Sequence, residues 1–361
     1  MEASMFGMFV YVTQQEIPPG WPVPPVYYDR EIGRRSLHDG LDQAEFADQL
    51  GFDWVSFSEH HYSTMSVAPH PALTAAAIVS RVRRARIALL GHVLPLNNPV
   101  RVAEELAILD NLCNGRLVVG LLRGTPNEYQ AFGVNPAETR ERMIEGMELI
   151  LKTWSEPQPF GWEGRYYQYR TVSVWPRPLQ EPYPRTYVLG TSRESADFAA
   201  AHHLGLGFSL DRFELFTDTF HYYRQKCAEA GWQPGPTDVL YRGSIYVAET
   251  DERAIEQGMP HWRGGRIATH IFMKKAVNAA VASVDPNPRD PTAGYGSAER
   301  RPPINFVGSP ETIVRQVRQC HEQCGAGVID LMFQGPGMEN SKVMRSLELF
   351  GTQVLPRIRE F

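Results

Sequence analysis

Cysteine is scarce in this chain, with four in 361 residues at Cys113, Cys227, Cys320 and Cys324. That is too few for a disulfide framework at this length. Cys320 and Cys324 stand one helical turn apart, but a metal site would need two more ligands nearby and the sequence offers none. Long apolar runs are also missing. No stretch of about 20 apolar residues occurs, so no membrane-spanning helix is expected. The chain passes straight into Met5-Phe-Gly-Met-Phe-Val-Tyr-Val12 without a basic region, so no signal peptide is expected and a cytoplasmic location follows by default. No charge of one sign dominates: 36 Lys and Arg face 41 Asp and Glu, for a net charge of −5. This balance argues against non-specific binding to nucleic acid. Finally, there is no G-x-G-x-x-G after the first strand and no phosphate loop with a lysine. The dinucleotide and triphosphate readings therefore have no support.

What the chain does have is alternation. Short β-rich runs fall near 5–12, 53–58, 86–94, 117–122, 186–190, 205–210, 240–248 and 328–333. Helical patterns lie between them, near 36–50, 70–84, 99–111, 136–154, 193–203, 212–230, 251–258 and 310–324, with a last helix over about 341–359. Eight strands alternating with helices predict parallel pairing and closure into an α/β fold, a (β/α)8 TIM barrel, as one domain over 1–361. Asn135-Pro136-Ala-Glu138 and Ser309-Pro310-Glu311 each read as an N-cap, a first-turn proline and a first-turn carboxylate. The basic run Arg81-Val-Arg-Arg-Ala-Arg86 reads as a helix C-terminus, where cations meet the negative end of the dipole. Two proline-rich insertions interrupt the pattern. Residues 155–185 suggest an ordered excursion with a hairpin around Gly161–Tyr167. Residues 258–305 suggest a mobile lid before the last strand, over the C-terminal mouth of the barrel.

In such a barrel the reactive residues sit at the C-terminal ends of the strands. The second strand ends at Glu59-His60-His61. Neighbouring residues at a strand end point different ways, so one histidine is expected in the pocket and the other pinned by structure. The fourth strand ends at Leu122-Arg123-Gly124, where an arginine suits phosphate oxygens. Arg140, in the first turns of a helix, could add a second cation. The fifth strand ends at Thr191-Ser192-Arg193-Glu194-Ser195 and opens into a helix, whose free amides and hydroxyls suit an anion. Leu90-Gly91 lies inside the third strand, where a glycine marks a bulge or the close approach of another group.

Together these segments resemble the bacterial luciferase-like flavin monooxygenases, and in particular the luciferase α-chain type. The similarity runs from Phe6 to Phe361 and is carried by Glu59-His60-His61, the segment 91–124, Phe132-Gly133 through Arg140, Tyr187–Ser192 and Asn305–Pro310. The resemblance implies that His60 is the catalytic base. It implies that Arg123, Arg140, Ser192 and Ser195 hold a flavin phosphate, and that Glu59 belongs to the cofactor site. It also implies that Leu90–Gly91 is a non-proline cis peptide beside the flavin ring. Leu122 stands where light-emitting chains keep a cysteine, and Thr191 where they keep a glutamate, so light emission is not expected.

The activity implied is oxygenation of a small apolar organic substrate by reduced FMN and molecular oxygen through a C4a-(hydro)peroxyflavin. A separate flavin reductase would supply the FMN, and the chain would act as a dimer. Tyr11, Phe57 and Tyr62 would line the pocket. Two alternatives stay open: a flavin- or F420-dependent oxidoreductase of the same barrel family, and a non-catalytic luciferase-like subunit.

Overall fold

The computed structural model describes residues 1–18, 20–262 and 304–361. In chain order the strands are β1 (Glu2–Phe6), β2 (Trp54–Phe57), β3 (Arg86–Val93), β4 (Leu117–Leu122), β5 (Phe160–Glu163), β6 (Gln168–Val172), β7 (Arg185–Leu189), β8 (Gly205–Ser209), β9 (Val239–Val247), β10 (Phe306–Gly308) and β11 (Val328–Met332). Eight of them close a parallel barrel in the order β9-β11-β1-β2-β3-β4-β7-β8, and β8 pairs back onto β9. The remaining strands lie outside the barrel wall. β10 adds in parallel to the end of β9, and β5 with β6 forms an antiparallel hairpin.

The pleat sorts the side chains into two layers. Inward-facing Trp54, Ala88, Leu90, Val118, Tyr187, Leu240 and Val328 fill the barrel. The alternate residues, including Val55, Phe57, Leu89, Val119 and Leu206, pack outward against the helices. Strands buried on both faces need continuous apolar runs, which is why the sequence shows runs rather than alternation.

The helices used below are α1 (Arg30–Leu50), α2 (Pro71–Ile78), α3 (Pro99–Leu112), α4 (Pro126–Ala131), α5 (Thr139–Ser155), α6 (Arg193–Ala201), α7 (Thr217–Glu229) and α8 (Asp251–Gly258). The helix Pro310–Cys324 starts where expected, with the Ser309 hydroxyl accepting the Thr312 amide, and stops at Gly325 with φ of 67°. Its two cysteines are buried helix residues.

Several boundaries differ from the sequence reading. The first strand lies at Glu2–Phe6, ahead of the expected 5–12, because residues 7–12 leave the sheet as irregular chain, with Phe9 in the left-handed region at φ of 54°. Asn135 does not cap α5. Its side chain accepts the Ala137 amide in a preceding turn, and the helix begins one turn later at Thr139. The basic run at 81–86 is not a helix end either. α2 stops at Ile78, and the amides of Arg83, Arg84 and Ala85 all donate to the buried Asp48 carboxylate of α1, at 3.0, 3.0 and 2.7 Å. Residues 81–85 form a loop held from beneath, and Arg86 opens β3. Of the expected lid at 258–305, residues 263–303 lie outside the described residues. No described helix is long and apolar enough to cross a membrane.

Candidate active site

At the end of β2 two adjacent histidines take opposite settings. His61 is buried, and its Nε2 lies 3.1 Å from Glu59 Oε1. Glu59 is buried as well. Its Oε2 accepts the Val93 amide at 2.9 Å, and the Asn97 amide group donates to both of its oxygens. This network pins the end of β2 to the end of β3, so Glu59 and His61 hold the site's wall. His60 keeps 36% of its side chain exposed and turns its Nδ1 to Glu128 Oε1 at 3.3 Å.

Glu128 was not among the expected residues. It sits in α4, in a capping box in which it accepts the Thr125 amide at 2.8 Å and the Thr125 hydroxyl. Burial alone would raise its pKa. The hydrogen bond and charge of His60, together with the Thr125 donors, outweigh burial and hold the carboxyl below its ordinary value. An ionised Glu128 favours the proton of His60 on Nδ1, which leaves the Nε2 lone pair to accept another proton. The signal for Glu128 was in the sequence: Thr125-Pro126-Asn127-Glu128 is a capping-box spacing directly after the Arg123-Gly124 strand end.

β3 carries the expected break. Leu90–Gly91 is a cis peptide bond, and the register with β4 shifts between Leu90 and His92. Gly91 cannot be another residue here, because a Cβ would lie 1.8 Å from the Gly120 carbonyl oxygen. Leu90 is fully buried in the barrel interior, while Leu122, across on β4, is only half-buried. Arg123 follows Leu122, also half-buried, and the chain turns at Gly124 with φ of 90°. A Cβ at Gly124 would meet the Val93 side chain at 2.3 Å, so the turn packs tightly on β3.

Beyond β7, Thr191 leads into α6. Ser192 is the N-cap, and its hydroxyl lies 3.1 Å from the Ser195 hydroxyl and takes the Ser195 amide at 3.3 Å. Arg140, near the start of α5, reaches this same helix start, with its Nη1 3.4 Å from Glu194 Oε2. Thus Arg140, Thr191, Ser192 and Ser195 converge around one helix N-terminus, and Arg123 ends the neighbouring strand.

Phe57 faces the helix layer beside Phe9 instead of the mouth. Tyr11 is buried, its hydroxyl accepting the Asp29 amide and donating to the Tyr27 carbonyl. Of the three aromatics expected to line a pocket, only Tyr62 is open, at 51% exposure, stacked between Trp21 and Phe132. Phe6, Met8, Val10 and Met332 instead form a buried apolar cluster at this end of the barrel. Beneath them Arg242 of β9 donates from Nε to Asp330 Oδ2 at 2.6 Å, Ser56 donates to the other oxygen at 2.6 Å, and the Phe6 ring covers the guanidinium at 3.7 Å.

Residues 6–326 match the family model for luciferase-like monooxygenases. The chain belongs to that family. It is 29% identical over 311 residues to the alkanal monooxygenase beta chain of Vibrio harveyi, covering 86% of this chain and 90% of that one. Among solved structures it is similar to the monooxygenase RslO1 of Streptomyces bottropensis, with a TM-score of 0.77, 28% identity and 99% of both chains covered. The fold is also shared with an F420-dependent secondary alcohol dehydrogenase, at a TM-score of 0.70 and 16% identity over 99% of both chains.

Proposed function

We propose that this chain is the oxygenase component of a two-component flavin monooxygenase. It would take reduced FMN from a separate reductase and use molecular oxygen to oxygenate a small apolar organic substrate. The observation that carries this reading is the pairing of His60, after β2, with Glu128, after β4, together with a cationic and hydroxyl-lined helix start after β7, the strand beside β4. Family membership adds to it.

The residues fit a flavin phosphate and ring. Arg123, Arg140, Ser192, Ser195 and the α6 amides offer donors to a phosphate, with Thr191 beside them. The bulged Leu90–Gly91 segment and the half-buried Leu122 give a flat group a place against the barrel strands. Glu59 acts one step away, by holding the β2 and β3 ends together. Bound reduced flavin supplies the electrons that activate oxygen. The protein's part is to orient, to exclude water and to move a proton. His60 Nε2 accepts that proton, and Glu128 at Nδ1 steadies the charge that results. The cluster of Phe6, Met8, Val10 and Met332 gives an apolar substrate a dry neighbour. Leu122 and Thr191 replace the cysteine and glutamate of light-emitting chains, which supports oxygenation without light.

The test is to bind reduced FMN to the purified protein without oxygen and then mix it with oxygenated buffer. Reoxidation much slower than that of free reduced FMN, and accelerated by a substrate, is the expected result. Failure of reduced FMN to bind would end this reading. A second reading, hydride transfer with F420, is favoured by the fold shared with an F420-dependent dehydrogenase. Binding of F420 in preference to FMN would select it.

A further inference from the structure

The helix start assigned to phosphate already contains an anion. Glu194 is the second residue of α6 and Arg140 the second of α5, and their side chains meet at 3.4 Å. Both are partly open, with 29% of Arg140 and 47% of Glu194 exposed. Two neighbouring charges turn to Tyr222: Arg193 lies over its ring at 5.0 Å, and Asp197 accepts its hydroxyl at 2.7 Å. Glu194 faces the Arg140 cation. The positive end of the α6 dipole favours a negative charge in this first turn, so the helix also supports Glu194 there.

We propose that Glu194 is a resident counter-anion of the phosphate cradle, which lowers the hold of Arg140 on phosphate. This rests on the flavin reading above. A half-exposed ion pair holds weakly, so it gives way to a ligand. A phosphate brings up to two negative charges and three acceptor oxygens, which an arginine can grip with two parallel hydrogen bonds. Glu194 remains beside the phosphate once displaced, and like charges at that distance repel.

The test compares FMN with riboflavin, which lacks the phosphate, on the full-length protein and its Glu194→Gln, Arg140→Gln and double variants. Glu194→Gln should tighten FMN about three- to tenfold, the scale of one partly screened charge interaction. Riboflavin affinity should not change. In the Arg140→Gln background the gain should shrink, because the pair is already broken. Inorganic phosphate should compete with FMN at lower concentration in Glu194→Gln than in the wild type. Weaker or unchanged FMN binding in Glu194→Gln, with the wild type still preferring FMN to riboflavin, would overturn the role of Glu194 alone. Equal binding of FMN and riboflavin by the wild type, unaffected by Arg123→Gln, would overturn the phosphate cradle and this proposal with it.

Discussion

The barrel mouth carries two kinds of polar pair. Arg242–Asp330 and His61–Glu59 are closed, at 2.6 and 3.1 Å with side chains no more than 9% exposed. His60–Glu128 and Arg140–Glu194 are longer, at 3.3 and 3.4 Å, and each leaves at least one partner about a third open or more. The same chemistry therefore serves two ends. A closed pair has lost its water and depends on its partner, so it fixes the wall. A half-open pair can trade its partner for a ligand or a proton, which is what a reactive site requires. The adjacent histidines show the division most sharply, since one residue of sequence separates a pinned imidazole from an available one.

The largest effect should come from breaking a closed pair. Arg242→Ala removes the cation from beneath Phe6 and leaves Asp330, fully buried, with the Ser56 hydroxyl as its side-chain partner among the described residues. The expected loss is about 3–5 kcal/mol of stability, read from a urea unfolding midpoint. Glu194→Gln, at the open pair, should shift the same midpoint by less than about 0.5 kcal/mol. If the two variants lost equal stability, the distinction between closed and open pairs would be wrong.

The next effect reverses the readout. His60→Ala should leave FMN affinity near the wild-type value but lower product formed per reduced flavin by about 100-fold, or ~2.7 kcal/mol. Unchanged product yield would remove His60 from the reaction. His61→Phe should do the opposite at first, by lowering the melting temperature, because Glu59 is left buried without its imidazole. A His61→Phe variant that is as stable as wild type yet inactive would mean that the wrong histidine has been given the proton.

Much of this arrangement was legible in the chain. Strands 53–58, 117–122 and 205–210 fell within a residue of their observed ends, because strands buried on both faces leave unbroken apolar runs between turn residues. The chemical ends of those strands were legible for the same reason: Glu59-His60-His61 and Arg123-Gly124 interrupt the runs abruptly. Long-range pairing was not. Nothing local to Asp48 says that it will collect three amides from 83–85, so the arginines there looked like a helix end. Nothing near Arg242 says that Asp330, 88 positions on, will share its barrel layer. Glu128 lay between the two limits, since its capping role was written locally but its contact with His60 spans 68 positions. Phe57 was misplaced because a strand's two faces are both apolar here, so composition does not say which one looks into the mouth.

The smallest expected effect concerns His92, which separates burial from pairing by pH. It follows the cis bond and is buried, and its Nε2 has no hydrogen-bond partner among the described residues. Burial pushes its pKa below the ordinary 6.5, against the pull of Glu59. The unfolded chain therefore takes up this proton more readily than the folded one. Stability from this group is complete above pH 6.5 and falls as the pH drops below it. Glu128 also loses stability in acid, but for the opposite reason. Its folded carboxyl is held below 4.5, so its contribution is present above pH 4.5 and lost only as the pH falls through that lower value. His92→Leu should accordingly flatten the decline in unfolding midpoint that begins below pH 6.5, while Glu128→Gln should flatten only the part below pH 4.5. A His92→Leu protein with the wild-type profile between those two values would show that the imidazole finds a proton partner on folding, and that its burial is not what sets its charge.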